Sequence, residues 1–147
     1  MGPPQAGGRV LSLVLLDPDD TLVDLAGAFA VWAAGWRIGV VTNGEPDDQG
    51  AKLRRTGLAE HLDGWCASGE AGVRKPDPAI SHLAARRCGG GDGRGVGDSP
   101  VLDVAGGGRA GFRTWWVGLG RPWPAEWPAP DRTSHDTADA LTALPRL

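Results

Sequence analysis

Residues Arg9 to Leu16 read RVLSLVLL, and the chain then turns at once to Asp17-Pro18-Asp19-Asp20. A nearly unbroken apolar run of this length, stopped by charge, has the pattern of a strand buried on both faces. Strands of that kind belong to parallel sheets, which need a crossover between neighbours, usually a helix. The rest of the chain supplies the alternation. Asp24 is placed to cap a helix with Leu25, Phe29, Trp32 and Trp36 along one face and Gly35 near its end. Arg37 to Val41 is a second apolar strand, followed by a polar helix through about Thr56 that Gly57 stops. Gly64 to Ser68 reads as a third strand. Asp77 and Pro78 open a helix carrying Ile80, Leu83 and Ala84 on one side and ending at Gly89-Gly90-Gly91.

Arg94 to Asp98 reads as a fourth strand, PVLDVAGGGRAG as a helix weakened by glycine, and FRTWWVG as a fifth strand. GRPWPAEWPAP is a Pro-rich loop, and Thr137 to Leu144 is a last short helix. The fold class expected is therefore α/β, a Rossmann-like three-layer sandwich around a central parallel sheet of about five strands. A chain of 147 residues suits one core domain, residues 9–147, behind a disordered lead-in over residues 1–8. The 24 glycines and 12 prolines predict many loops and a modest core.

Several functions are disfavoured by composition. Net charge is −3 with no basic stripe, which argues against nucleic acid as a partner. No stretch is long enough to span a membrane, and the run Val10 to Leu16 is too short for a signal sequence. Cys66 and Cys88 have neither metal spacing nor a disulfide framework, so they read as reduced structural cysteines of a cytoplasmic protein. Gly106, Gly108 and Gly111 match the dinucleotide fingerprint in spacing alone, since they precede a strand instead of following one. His61, His82 and His135 lie outside every polar cluster and read as surface or helix-end residues. Trp123 and Trp127, in the Pro-rich loop, are candidates for an exposed apolar patch.

In parallel α/β folds, sites form at the carboxyl ends of strands, and the polar clusters fall there. Asp17 and Asp19, two residues apart after the first strand, can turn two carboxylates toward one site, one as a nucleophile and the other as a proton donor. A solvated acidic turn is the other reading of the same residues. Thr42-Asn43-Gly44 follows the second strand and offers a hydroxyl and backbone N–H groups to an anion. Lys75 precedes the helix opened by Asp77 and, taken alone, reads as a surface lysine. Gly97-Asp98-Ser99 with Asp103 adds carboxylates, whose oxygens suit Mg2+.

Taken in order, LLDPDDTLVD, VVTNGE, GVRKPDPAI and GVGDSPVLDVAGG resemble the four motifs of the haloacid dehalogenase superfamily, over about Val10 to Val117. The resemblance implies a Mg2+-dependent phosphatase of that fold. Asp17 would be the nucleophile that forms an aspartyl-phosphate, and Asp19 the general acid and base. Asp17, the Asp19 carbonyl and Asp98 would hold Mg2+, with Asp103 supporting them from behind. Thr42, the Asn43 backbone and Lys75 would bind the phosphoryl group. An acid at position 19 favours phosphate chemistry over carbon–halogen cleavage within this family.

The chain departs from the family pattern in two places. Pro18 has no N–H where the family has one that helps hold the phosphoryl group. Only about twenty residues, Val23 to Val41, separate the first two motifs, room for one crossover helix and no cap domain. A site without a cap implies a larger substrate, up to a phosphoprotein, weak binding of small phosphorylated molecules, or a homodimer in which chains cover each other. It also predicts exposure of Phe29 and Trp32. The alternative reading is a catalytically weak or inactive domain that keeps the fold as a binding module.

Overall fold

The computed structural model describes residues 12–18 and 25–146. Asp24, expected to cap the first helix, and the lead-in lie outside the described residues. Six strands form one parallel sheet in the order β3-β2-β1-β4-β5-β6: β1 Ser12–Leu16, β2 Arg37–Thr42, β3 Gly64–Ala67, β4 Asp92–Gly97, β5 Arg113–Val117 and β6 Arg132–Ser134. The helices are α1 Leu25–Ala33, α2 Pro46–Thr56, α3 Ser68–Ala71, α4 Pro78–Arg87, α5 Gly106–Arg109 and α6 Thr137–Ala143. Chain order reverses its direction across the sheet between β1 and β4, where a doubly wound sheet opens its binding crevice.

β1 is central and buried on both faces, as its apolar run requires. Val14 and Leu16 face a core with Ala28 and Val31 of α1, Val96, Trp115, and Ala140 and Leu141 of α6. Leu13 and Leu15 face the opposite core with Val41, Cys66, and Ile80 and Ala84 of α4. Local signals end the helices where the sequence places them. The Asp77 carboxylate accepts a hydrogen bond from Ala79 N–H at 2.9 Å at the start of α4, and Gly57 at φ 78° closes α2.

The sheet has one strand more than expected. β6 is three residues, Arg-Thr-Ser, paired to β5 at the sheet edge, too short and polar to show an apolar period. Residues 100–109 are not one regular helix: Pro100–Ala105 is wound as a π-helix that leads into α5. Helix α1 meets the sheet through its small residues, and Phe29 is exposed as a site without a cap predicts. Ala28 and Val31 are buried, whereas Phe29 is 52% exposed, and Trp36 lies beyond the helix against the core. Trp32 is partly buried, its ring 5.5 Å from Phe29 and 6.2 Å from His61. One helix crosses from β1 to β2, and among the described residues no second domain is inserted there. None of the described helices is long and apolar enough to cross a membrane.

The cysteines are both free and buried. Burial, together with the Asp63 carboxylate and against the nearby Arg37, pushes the Cys88 thiol up to about 11. Because the folded value lies above the ordinary 9.0, the stabilisation is complete below pH 9 and is lost as pH rises toward 11. At pH 8 the Cys88 thiolate is about one part in a thousand. Native protein at pH 8 is expected to leave Ellman's reagent nearly unreacted until urea exposes both thiols; prompt reaction of the native protein would contradict this placement.

Candidate active site

The polar clusters converge at the carboxyl ends of β1, β2 and β4. Asp17 follows β1 directly. Its N–H donates to Val96 O at 3.1 Å, which extends the β1–β4 ladder by one bond and fixes where the side chain leaves the sheet. The side chain is 8% exposed. Pro18, the next residue, is buried and has no N–H to offer there. Asp19 lies outside the described residues.

Asn43, just past β2, holds the segment bearing Lys75 by two hydrogen bonds. Lys75 N–H donates to Asn43 Oδ1 at 2.8 Å, and Asn43 Nδ2 donates to Lys75 O at 3.2 Å. The asparagine side chain thus clamps the next loop, a role that motif spacing alone does not reveal. Thr42, at the end of β2, is fully buried, and its hydroxyl donates to Gln49 Oε1 of α2 at 3.0 Å.

Lys75 is buried between two carboxylates. Its Nζ lies 2.8 Å from Asp103 Oδ1 and 3.4 Å from Asp17 Oδ1. Burial pulls its pKa down, but Asp103 and Asp17 together outweigh burial and the net direction is up, so the ammonium persists at neutral pH. The surface-lysine reading of Lys75 is excluded. Asp103 is oriented from its other side, since Ser99 N–H donates to Oδ2 at 2.9 Å. Ser99 Oγ accepts from Leu102 N–H at 3.1 Å and so starts the π-helical turn that carries Asp103. Gly97 makes room: a Cβ there would stand 2.3 Å from Asp103 Cγ.

Asp17, Asp98 and Asp103 each present a carboxylate oxygen within 4.8 Å of the others. All three side chains are largely buried. Three carboxylates against the Lys75 ammonium and the Arg121 guanidinium, 3.8 Å from Asp98, still leave an excess of negative charge, and the donors are hard oxygens. That set fits Mg2+ and does not suit a thiophilic metal. Asp103, expected to support the set from behind, presents its carboxylate within the same group.

Sequence reasoning missed the outer wall of the site. The Asp98 carbonyl accepts two donors, Trp116 Nε1 at 2.8 Å and Arg121 Nη2 at 2.8 Å. The Arg121 guanidinium lies over the Trp116 ring, 5.4 Å from its centroid, and 3.8 Å from Asp98 Oδ2. Trp123 packs edge-on against Trp116 at 4.9 Å, and its indole N–H donates to Trp127 O. The Pro-rich loop is thereby pinned to the site, and Trp123 and Trp127 are partly buried instead of forming a free patch. The WW pair in the fifth strand was the available signal, but nothing in it specified a partner. Two of the histidines stay away, His82 with Nε2 2.8 Å from Ala110 O and His61 against Phe29, while His135 follows β6 and accepts the Leu119 N–H at its carbonyl, 2.8 Å away.

The family model for haloacid dehalogenase-like hydrolases matches residues 9–111. The phosphoserine phosphatase of Thermus thermophilus is 38% identical over 112 residues, covering 74% of this chain and 45% of that protein. A pyrimidine 5'-nucleotidase of Escherichia coli is 38% identical over 84 residues, 55% of this chain and 37% of that protein. Among solved structures, a HAD phosphatase from Thermococcus onnurineus superposes with a TM-score of 0.71 at 25% identity, covering 83% of this chain and 54% of that one. A 2-haloacid dehalogenase from Pseudomonas syringae pv. Tomato gives 0.67 at 33% identity, covering 83% and 50%. The chain spans about half, or less, of the length of these relatives.

Proposed function

The chain belongs to the haloacid dehalogenase-like hydrolase family, and from that premise we propose that it is a Mg2+-dependent phosphoric monoester hydrolase working through an aspartyl-phosphate on Asp17. The observation that carries the reading is the buried Lys75 ammonium within 3.4 Å of the Asp17 carboxylate, beside Asp98 and Asp103. An anionic nucleophile meets an anionic phosphate only where positive charge lies between them. Mg2+ held by Asp17, Asp98 and the Asp19 carbonyl, with Asp103 adjacent, would supply the rest of that charge.

In this reading the Asn43 N–H and Lys75 receive the phosphoryl oxygens, joined by the Thr42 hydroxyl once it turns from Gln49 Oε1, to which it donates in the structure. A carboxylate oxygen of Asp17 bonds to phosphorus as the ester P–O bond breaks, and Asp19 gives its proton to the leaving oxygen. Asp19 then takes a proton from water, the water oxygen attacks phosphorus, and the acyl-phosphate bond breaks to release phosphate and restore Asp17. Substrates are phosphorylated small molecules or phosphoproteins, the latter admitted by a site with no cap among the described residues between β1 and β2. The exposed Phe29 gives a second copy of the chain an apolar place to pack, which a homodimer would use.

Hydrolysis of an aryl phosphate, with and without Mg2+, is the test. Turnover is expected to need the metal and to fall by about 10³-fold or more in Asp17→Asn. Pro18 favours a second reading, a folded domain with little or no turnover, because loss of one oxyanion-type donor costs roughly 10²–10³ in rate. Folded protein whose activity equals that of Asp17→Asn would select it.

A further inference from the structure

At the opposite end of the sheet three arginines share one face. Arg94 of β4 stands in register with Arg113 of β5, and Arg132 of β6 stands in register with Trp115, two residues along β5 from Arg113. Residues in register on parallel strands, and those two apart on one strand, point to the same side. Together with Thr114, Trp115 and Asp131 they line a cavity of about 370 Å³. It sits at the amino-terminal ends of β4 to β6. Arg94 is four residues before Asp98, roughly 13 Å along an extended strand, and the cavity shares no lining residue with the pocket around Asp17 and Lys75.

Like charges opposite each other on neighbouring strands repel, and the local counter-charges do not neutralise these three. Arg94 is answered by Asp92 at 2.8 Å and lies 5.8 Å from the Trp36 ring centroid. The Asp131 carboxylate is turned to β5, accepting the Thr114 N–H at 2.7 Å and its hydroxyl at 3.3 Å. Among the described residues, Arg113 and Arg132 have no side-chain hydrogen bond or ion pair. Two unanswered guanidiniums therefore border a cavity in a chain whose net charge is −3. Guanidinium forks match phosphate oxygens two at a time, and the cavity lies in the lower part of the size range of small-molecule sites, roughly 300–1,000 Å³.

We propose that the cavity between Arg94, Arg113 and Arg132 is a second binding site, for a small doubly anionic phosphate compound, separate from the catalytic pocket. Pyrophosphate is the probe. Amide resonances of the 15N-labelled protein are followed in chelator-treated buffer as pyrophosphate is added at constant ionic strength. Saturable shifts are expected at Arg113, Thr114, Trp115 and Arg132. In Arg113→Gln/Arg132→Gln the affinity read from these strands should fall by tenfold or more. The charge-conserving Arg113→Lys/Arg132→Lys should fall between, since it keeps attraction and loses the fork. Both arginines are exposed, and dispersed spectra of the variants verify that they fold. Shifts confined to residues around Lys75, shifts that sodium chloride reproduces, or an affinity unchanged in the glutamine variant would each overturn the proposal.

Discussion

Lys75→Met is expected to lower the stability of the metal-free protein by about 3–5 kcal/mol, the usual cost of removing one partner from a buried ion pair. Met replaces the Lys75 stem at nearly equal volume, so the change isolates the charge. Without the ammonium, Asp17 and Asp103 stay buried with no cation at 3.4 and 2.8 Å. The folded Lys75 pKa is raised: burial opposes the charge, but Asp103 and Asp17 prevail. Its contribution is thus complete below the ordinary value of 10.5 and is lost only as pH rises through the higher folded value. The Lys75 ammonium therefore contributes equally at pH 6.5 and pH 8.5, and urea unfolding of wild type and variant is best compared at the upper pH, where the carboxylates are ionised. Added Mg2+ should restore part of the lost stability, because the cation binds folded chains and not unfolded ones. A stability difference below about 1 kcal/mol, typical of exposed pairs, would mean that the carboxylates do not depend on Lys75.

What the sequence disclosed and what it concealed follow from the range of the forces involved. β1 was legible because burial on both faces leaves an unbroken apolar run ending in Asp17. Helices α2 and α4 were legible because their stops and caps, Gly57 and Asp77, act within one turn. β6 was not, since three polar residues at a sheet edge follow from pairing with β5 and carry no pattern of their own. Exposure of Phe29 followed from the short β1–β2 connection, but the residues of α1 that meet the sheet did not, because close approach of the helix selected the smaller Ala28 and Val31. At the site, Asp17, Lys75, Asp98 and Asp103 were nameable from order and strand context. The Asn43 clamp on the Lys75 backbone and the Arg121–Trp116 support of Asp98 were not, because each joins segments far apart in sequence.

Gly97→Ala is expected to damage stability and site together. Gly97 ends β4, one residue before Asp98, and an added Cβ would fall 2.3 Å from Asp103 Cγ and 2.4 Å from Oδ2. Neither side can yield freely. Gly97 is tied into the sheet in register with Trp116, and Asp103 is held by Lys75 at 2.8 Å and by Ser99 N–H at 2.9 Å. Overpacking of this kind costs roughly 1–3 kcal/mol, and a displaced Asp103 would also loosen Lys75. If the proposed chemistry holds, a shift of about 1 Å at the site costs about 10²-fold in turnover. Gly95, two residues earlier on the same strand, is the matched control. A Cβ there meets nothing within 4 Å, so Gly95→Ala should stay within about 0.5 kcal/mol of wild type in urea unfolding. Equal behaviour of the two variants would show that β4 tolerates any side chain at its end, and that Asp103 moves aside without cost. Loss confined to Gly97→Ala, with weaker Mg2+ binding by calorimetry, would tie the absence of a side chain at residue 97 to the placing of the carboxylate that Lys75 grips.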